Sequence, residues 1–165
     1  MRYLKLVYDN FEEYLCEALI AVMIFALSVQ VLIRMTTGGA VSWAEELSRY
    51  CFVWAIYIGT SLAAKKAAHV RINAQFLYAS IRTRLAFRML ADGIWMGFNI
   101  FFFYYSCIAV HQAFLFPEVT ATMGIIKAYI EIIVPVGFAL MTWRTVELYV
   151  RHWREGTLSS LVETL

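Results

Sequence analysis

The sequence predicts an all-α integral membrane protein with four transmembrane helices, both termini on the inner side, and amphipathic helices at the inner face. Composition, apolar run length and the placement of Lys and Arg point to it. The 165 residues are 62% hydrophobic and only 16% charged, and the mean hydropathy is +0.66. Soluble domains carry about 25% charge, and a chain this short keeps much of its surface outside any core. The apolar excess therefore has to face lipid or a large partner. Disorder, a collagen repeat and a soluble disulfide scaffold are excluded. A net charge of +2 is too small to suggest nucleic acid as a partner.

A bilayer crossing needs about 20 mostly apolar residues. Four stretches qualify within a single domain covering residues 1–165. The first runs over about 15–33 and is uncharged from Ala18 to Ile33. The second, about 43–64, is uncharged from Tyr50 onward. The third, about 93–116, has His111 as its only titratable residue besides Cys and Tyr. The fourth, about 126–146, is interrupted by Lys127, Glu131 and Arg144 and bent by Pro135; snorkelling ends complete it. Two further segments read as interfacial helices. Residues 3–14 align Leu4, Val7, Tyr8 and Phe11 on one face, with Asp9, Glu12 and Glu13 elsewhere. Residues 72–88 align Ile72, Phe76, Leu77, Ile81 and Leu85 against Arg82, Arg84 and Arg88. An apolar stripe with a basic opposite face suits the plane of the inner leaflet. Packing on a neighbouring subunit is the other use of such a helix.

Basic residues set the orientation. The N-terminal segment carries Arg2 and Lys5, and the C-terminal segment carries Arg144, Arg151 and Arg154. The second connection carries Lys65, Lys66, Arg71, Arg82, Arg84 and Arg88. The opposite side has only Arg34, Arg49 and Lys127. Both termini and the long second connection are expected in the cytoplasm. Met1–Glu17 holds six charged residues ahead of the apolar run, so no cleavable signal peptide is expected. Cys16, Cys51 and Cys107 lie in apolar stretches and read as small buried residues.

The second span opens on a helix-start signal. Ser42 and Glu45 have capping-box spacing. Glu45 and Arg49 are four apart and face each other; Glu46 lies three from Arg49 on an adjacent face. Such charges are costly against lipid, so they belong at the headgroups, inside the bundle or against another protein. Glu17, Gln30, Arg34, Asn99 and His111 are weaker candidates. Lys127 and Glu131 are expected to pair. No P-loop, G-x-S-x-G or HExxH is present, and no Cys/His spacing suggests a metal. Catalytic residues, metal ligands and cofactors are not expected, and the chain does not read as an enzyme. It reads as an accessory subunit whose apolar surface is meant for a larger membrane partner.

Ser42-Trp43-Ala44-Glu45-Glu46-Leu47-Ser48-Arg49-Tyr50, then Val53-Trp54, Gly59 and His69-Val70-Arg71-Ile72, resembles the small membrane subunit of tripartite ATP-independent periplasmic (TRAP) transporters. The four-span plan is similar too. The resemblance implies sodium-driven import of an organic acid, with a weak lean to sialic acid over dicarboxylates or keto acids. It implies an obligate large membrane subunit that moves as an elevator, a periplasmic binding protein that docks transiently, and a place in the inner membrane. By that resemblance this chain binds neither substrate nor sodium and extends the static scaffold. Trp43, Glu45, Glu46 and Arg49 become an outer interface cluster, Gly59 a point of close helix approach, and His69 and Arg71 anchors of the inner interfacial helix, together with Arg82, Arg84 and Arg88.

Two other classes compete. A small four-span multidrug antiporter acts as a homo-oligomer and needs a carboxylate in its first span, for which Glu17 is the candidate. A membrane anchor of a redox complex needs paired His ligands at suitable depths, whereas His69 and His152 are expected on the side opposite His111.

Overall fold

A computed structural model describes residues 2–65 and 80–155, with the backbone alone for residues 2–9. Five helices follow one another: α1 (Arg2–Thr37), α2 (Ser42–Lys65), α3 (Ile81–Leu115), α4 (Lys127–Glu131) and α5 (Ile133–Arg154). No helix in the described part separates residues 3–14 from the first span. They are the start of α1, which continues past Leu15 without a break. In the same way 81–88 is the first part of α3. His69, Arg71 and residues 72–79 lie outside the described residues.

Local chemistry sets the helix ends. α1 stops at Gly38, whose φ of 68° is the left-handed conformation a glycine adopts without strain. Its N–H returns to the Arg34 carbonyl at 3.1 Å. α3 is capped by Ser80, whose Oγ accepts from the Thr83 N–H at 3.3 Å, and it ends just before Pro117, which disfavours helix in the residue preceding it. α4 and α5 are one rod broken at Ile132. Pro135 causes the break: it has no N–H to give the Glu131 carbonyl, and its ring crowds that carbonyl. The Trp54 indole donates to the neighbouring Ile130 carbonyl at 3.1 Å and ties α2 to the break.

α1 packs on α2, α2 on α5, and α5 on α3. α2 is central because its buried stripe is small: Ala44, Ser48, Cys51, Ala55, Ile58, Ser61 and Ala64. These recur every three or four residues and let both neighbours come close. Among the described residues, three helical stretches are long and apolar enough to cross a membrane: Asn10–Thr37, Ile81–Leu115 and Lys127–Arg154. α2 is not one of them. Its 24 residues span about 36 Å, but Glu45, Glu46, Arg49 and Lys65, together with its Ser, Thr, Tyr and Trp residues, lower its mean hydropathy.

Gly59 faces Cys16, and a Cβ there would sit 3.6 Å from that Sγ, an ordinary contact. The glycine that proximity demands is Gly137 on α5, where a Cβ would lie 2.6 Å from Tyr57 Cδ1 and 2.9 Å from its Cβ. Tyr57 also meets Phe138 edge-on at 5.9 Å, and Phe138 stacks on Phe102 of α3 at 5.4 Å. Gly137→Ala is expected to overpack this seam and cost about 1–3 kcal/mol, whereas Gly59→Ala is expected to be close to neutral. Thermal unfolding of both variants in one detergent checks the contrast.

Candidate functional site

Two polar clusters close the two ends of the helix packing. The first centres on Glu12. Helix α1 turns this residue onto α2 and α5, where its side chain is 3% exposed. Glu12 Oε1 accepts from Arg144 Nε at 2.8 Å and from Ser61 Oγ at 3.2 Å. Lys65 Nζ stands 4.0 Å from Oε2. Arg144, itself 4% exposed, donates its Nη1 to Glu147 at 2.6 Å. One helical turn further, the Tyr149 hydroxyl donates to the buried Asp92 of α3, and Arg88 Nε lies 4.0 Å from the same carboxylate oxygen. The two groups of contacts join all four long helices at one end. Arg88 is therefore mostly buried beside Asp92, while Arg82 is exposed and Arg84 half-buried.

Sequence reasoning placed Glu12 on a polar outer face and Arg144 among the flanking charges. Their pairing spans 132 positions, and no local spacing reveals it. The available signal was Arg144 itself, since an arginine inside an apolar span needs a partner.

The second cluster, at the opposite end of the helix packing, centres on Glu46. One carboxylate oxygen accepts from the backbone N–H groups of Thr122 and Met123, both at 3.0 Å, and from the Thr122 hydroxyl. The other accepts from the Tyr50 hydroxyl at 2.6 Å. Glu46 thus grips a tight hairpin between α3 and α4. The hairpin closes through Thr120 N–H to the Ile125 carbonyl at 2.8 Å and Lys127 N–H to the Glu118 carbonyl at 2.9 Å. Gly124, with φ of 67°, makes its turn.

Lys127 pairs with Glu118 at 2.7 Å, not with Glu131 as expected. The hairpin returns Glu118 directly to the lysine, while Glu131 is exposed on α4. Lys127 holds the Glu118 carboxyl below its ordinary value. A lowered value favours the bridge above that range, and the bridge is lost only as pH falls through the depressed value.

Glu45 meets Arg49 at 3.4 Å as an exposed pair. The capping box does not form, because the helix already includes Ser42 and Glu45 turns forward to Arg49. Trp43 is half exposed beside it. The expected Trp43, Glu45, Glu46 and Arg49 cluster therefore divides: Glu46 turns inward to the hairpin, and the others face out. Cys107 is exposed on α3, contrary to the burial expected of it, while Cys51 is buried. His111, Glu17 and Glu131 are also exposed. Among the described residues no group of three or more His, Cys, Asp or Glu could hold a metal ion. The clusters hold helices and a loop in register.

Long apolar helices locked at both ends by polar ties define a multi-pass membrane protein. The chain belongs to the DctQ component family of tripartite ATP-independent periplasmic transporters, whose family model matches residues 20–155. It is accordingly part of a transport system and not an enzyme, as the run from Ser42 to Ile72 led us to expect. It is 27% identical over 150 residues to a sialic acid TRAP transporter small permease protein of Vibrio cholerae, covering 89% of this chain and 84% of that one. It is 27% identical over 127 residues to a C4-dicarboxylate TRAP transporter small permease protein of Pseudomonas aeruginosa, covering 73% of this chain and 59% of that protein. It is 22% identical over 144 residues to an isethionate TRAP transporter permease protein of Oleidesulfovibrio alaskensis. That match covers 84% of this chain but spans only 23% of the isethionate permease.

Two outcomes test the clusters. Arg144→Met is expected to cost about 3–5 kcal/mol, because it strands the buried Glu12 carboxylate, whereas the double change with Glu12→Leu recovers most of the loss. Unfolding of the single and double variants in detergent measures it. Glu46→Ala is expected to speed amide exchange at Thr122 and Met123 by about tenfold or more, since hydrogen bonds to a charged group contribute about 1.5–3 kcal/mol each; Glu45→Ala should leave both amides unchanged.

Proposed function

We propose that the chain is the small membrane subunit of a sodium-coupled TRAP transporter that imports an organic acid. The observation that carries this reading is the family match over 20–155, with a small permease relative aligned over most of both chains. In this reading α2 is also a span, which makes four, and both termini face the cytoplasm. The excess of Lys and Arg on the termini and second connection supports that orientation. The chain is an inner-membrane scaffold: it holds a large permease subunit in the bilayer and touches neither substrate nor sodium.

A sialic acid is the favoured substrate, because the relative aligned over most of both chains carries that name; C4-dicarboxylates follow from the Pseudomonas relative. Trp43, Glu45 and Arg49, with the hairpin that Glu46 holds, form the outer face where a periplasmic binding protein docks. A pre-ordered loop loses little entropy on binding, which suits a transient partner. Arg82 and Arg84 anchor the inner end at the headgroups, with His69 and Arg71 ahead of them, while Arg88 ties that end to Asp92. Gly59 lies on the α1 side of α2, where the scaffold stays narrow.

The test is a pull-down of tagged chain from its native membrane with mass spectrometry, followed by uptake assays of the captured complex in proteoliposomes under a sodium gradient. We expect one large multi-span permease per chain and sodium-dependent uptake of an acidic substrate once the binding protein is added. A homo-oligomer without a permease overturns the reading and makes Glu17 the residue to change next.

A further inference from the structure

We infer that the outward face of α3, marked by Gly93, Gly97, Phe101, Tyr104 and Ile108, seats the large permease subunit, while the outward face of α1 meets lipid. This rests on the reading of the chain as a transporter subunit and says which surface does the work. The five positions step by four, four, three and four, so they form one stripe along the helix. They lie away from Asp92 and Asn99, the buried residues of α3.

Gly93 and Gly97 have the G-x-x-x-G spacing that lets helix backbones approach closely in membranes. A Cβ at either would meet nothing within 4 Å, so no part of the described chain uses the space they leave. Glycine inside a helix costs about 0.5–1 kcal/mol relative to alanine. Among the described residues nothing offsets that cost at these two positions; an incoming helix would.

Hydrogen bonding gives an independent reason. Tyr104 and Tyr105 are 62% and 54% exposed and sit at the centre of the uncharged run from Gly93 to Phe116. The two rings contact each other and Tyr105 also meets Phe101, but neither hydroxyl has a hydrogen-bond partner among the described residues. Hydrocarbon cannot supply one, and an unsatisfied hydroxyl there costs several kcal/mol. Tyrosines that face lipid settle at the headgroups and not at mid-depth. The acceptor therefore comes from another protein.

α1 shows the contrasting chemistry. Its exposed residues include Ile20, Val22, Ile24, Phe25, Val31 and Leu32, its Ser28 hydroxyl is satisfied by the Ile24 carbonyl at 2.8 Å, and no glycine lies between Ala18 and Arg34. Lipid suffices for that surface. The isethionate relative names the occupant, because there a region similar to this chain is only 23% of a longer permease polypeptide. The remaining length of that polypeptide is tethered to the same helices.

The test places a photocrosslinking benzoylphenylalanine at Phe101, Tyr104 or Phe25 in tagged full-length chain in its native membrane and identifies the adducts by mass spectrometry. We expect Phe101 and Tyr104 to capture the large permease, with yields about tenfold or more above Phe25, and Gly97→Leu to lower permease co-purification by about tenfold or more while the chain still inserts. Permease adducts from Phe25, or only lipid or a second copy of this chain from Tyr104, overturn the assignment of the face even though permease co-purifies. Absence of any permease with the unaltered chain overturns the subunit reading and this inference together.

Discussion

Glu12 is a carboxylate shut away from water, and the helix packing depends on how it is satisfied. Burying a charge is tolerable only when a counter-charge and hydrogen bonds replace its hydration. Here the counter-charge comes from α5 through Arg144 and the hydroxyl from α2 through Ser61. Lys65 adds a second cation at the end of α2. The arrangement works only if α1, α2 and α5 stand in one rotational setting. Apolar side chains alone would permit several such settings, because lipid is as apolar as leucine and gives helices little reason to prefer one contact to another. The ion pair contributes specificity more than net stability.

The same logic operates at the opposite end with different parts. Among the described residues Glu46 forms no ion pair; it collects two backbone N–H groups and two hydroxyls instead. A carboxylate so supplied fixes a loop more tightly than a surface ion pair can, because amides of a tight hairpin have no rotamer freedom to lose. The exposed Glu45–Arg49 pair beside it illustrates the difference: at 3.4 Å and open to water, it contributes little. Between these ends the small residues of α2 and the bare backbone of Gly137 let helices approach closely.

Hydropathy exposed the apolar stretches, a local property of consecutive residues, but not the helix starts: residues 3–14 and 81–88 run without a break into the apolar parts of α1 and α3. The charged first turn from Trp43 to Arg49 stood out for the same local reason. What could not be read was pairing at long range. Glu12 looked like one more polar residue on an amphipathic N-terminal helix, and Glu46 looked like one more charge beside the Glu45–Arg49 pair. Their true partners are 132 and 76 positions away, respectively, along the chain. Lys127 was misassigned to Glu131 because the four-residue rule ignores a hairpin that folds back. Gly59 drew attention through its place in a motif, although Gly137 is the glycine whose Cβ would collide. α2 exposes the limit of hydropathy itself: Ser48 and Ser61 lower its apolar score although both are buried in the helix packing.

In the role we propose, a scaffold beside a moving permease has to resist lateral forces without presenting charge to lipid. This chain divides those demands along its length. Rigidity comes from polar ties at the two ends of the helix packing, the buried Glu12–Arg144 pair and the hairpin that Glu46 holds. Adhesion comes from the middle, where α1 offers plain hydrocarbon and α3 offers glycines and hydroxyls. A polar tie at mid-depth would be stronger, but it would cost more whenever the partner was absent. Tyrosine is a compromise between those demands. Its ring is tolerable in lipid before assembly, and its hydroxyl rewards only a partner that brings an acceptor to the right place. The order of polar ends and an aromatic middle thus lets a small subunit fold first and bind second.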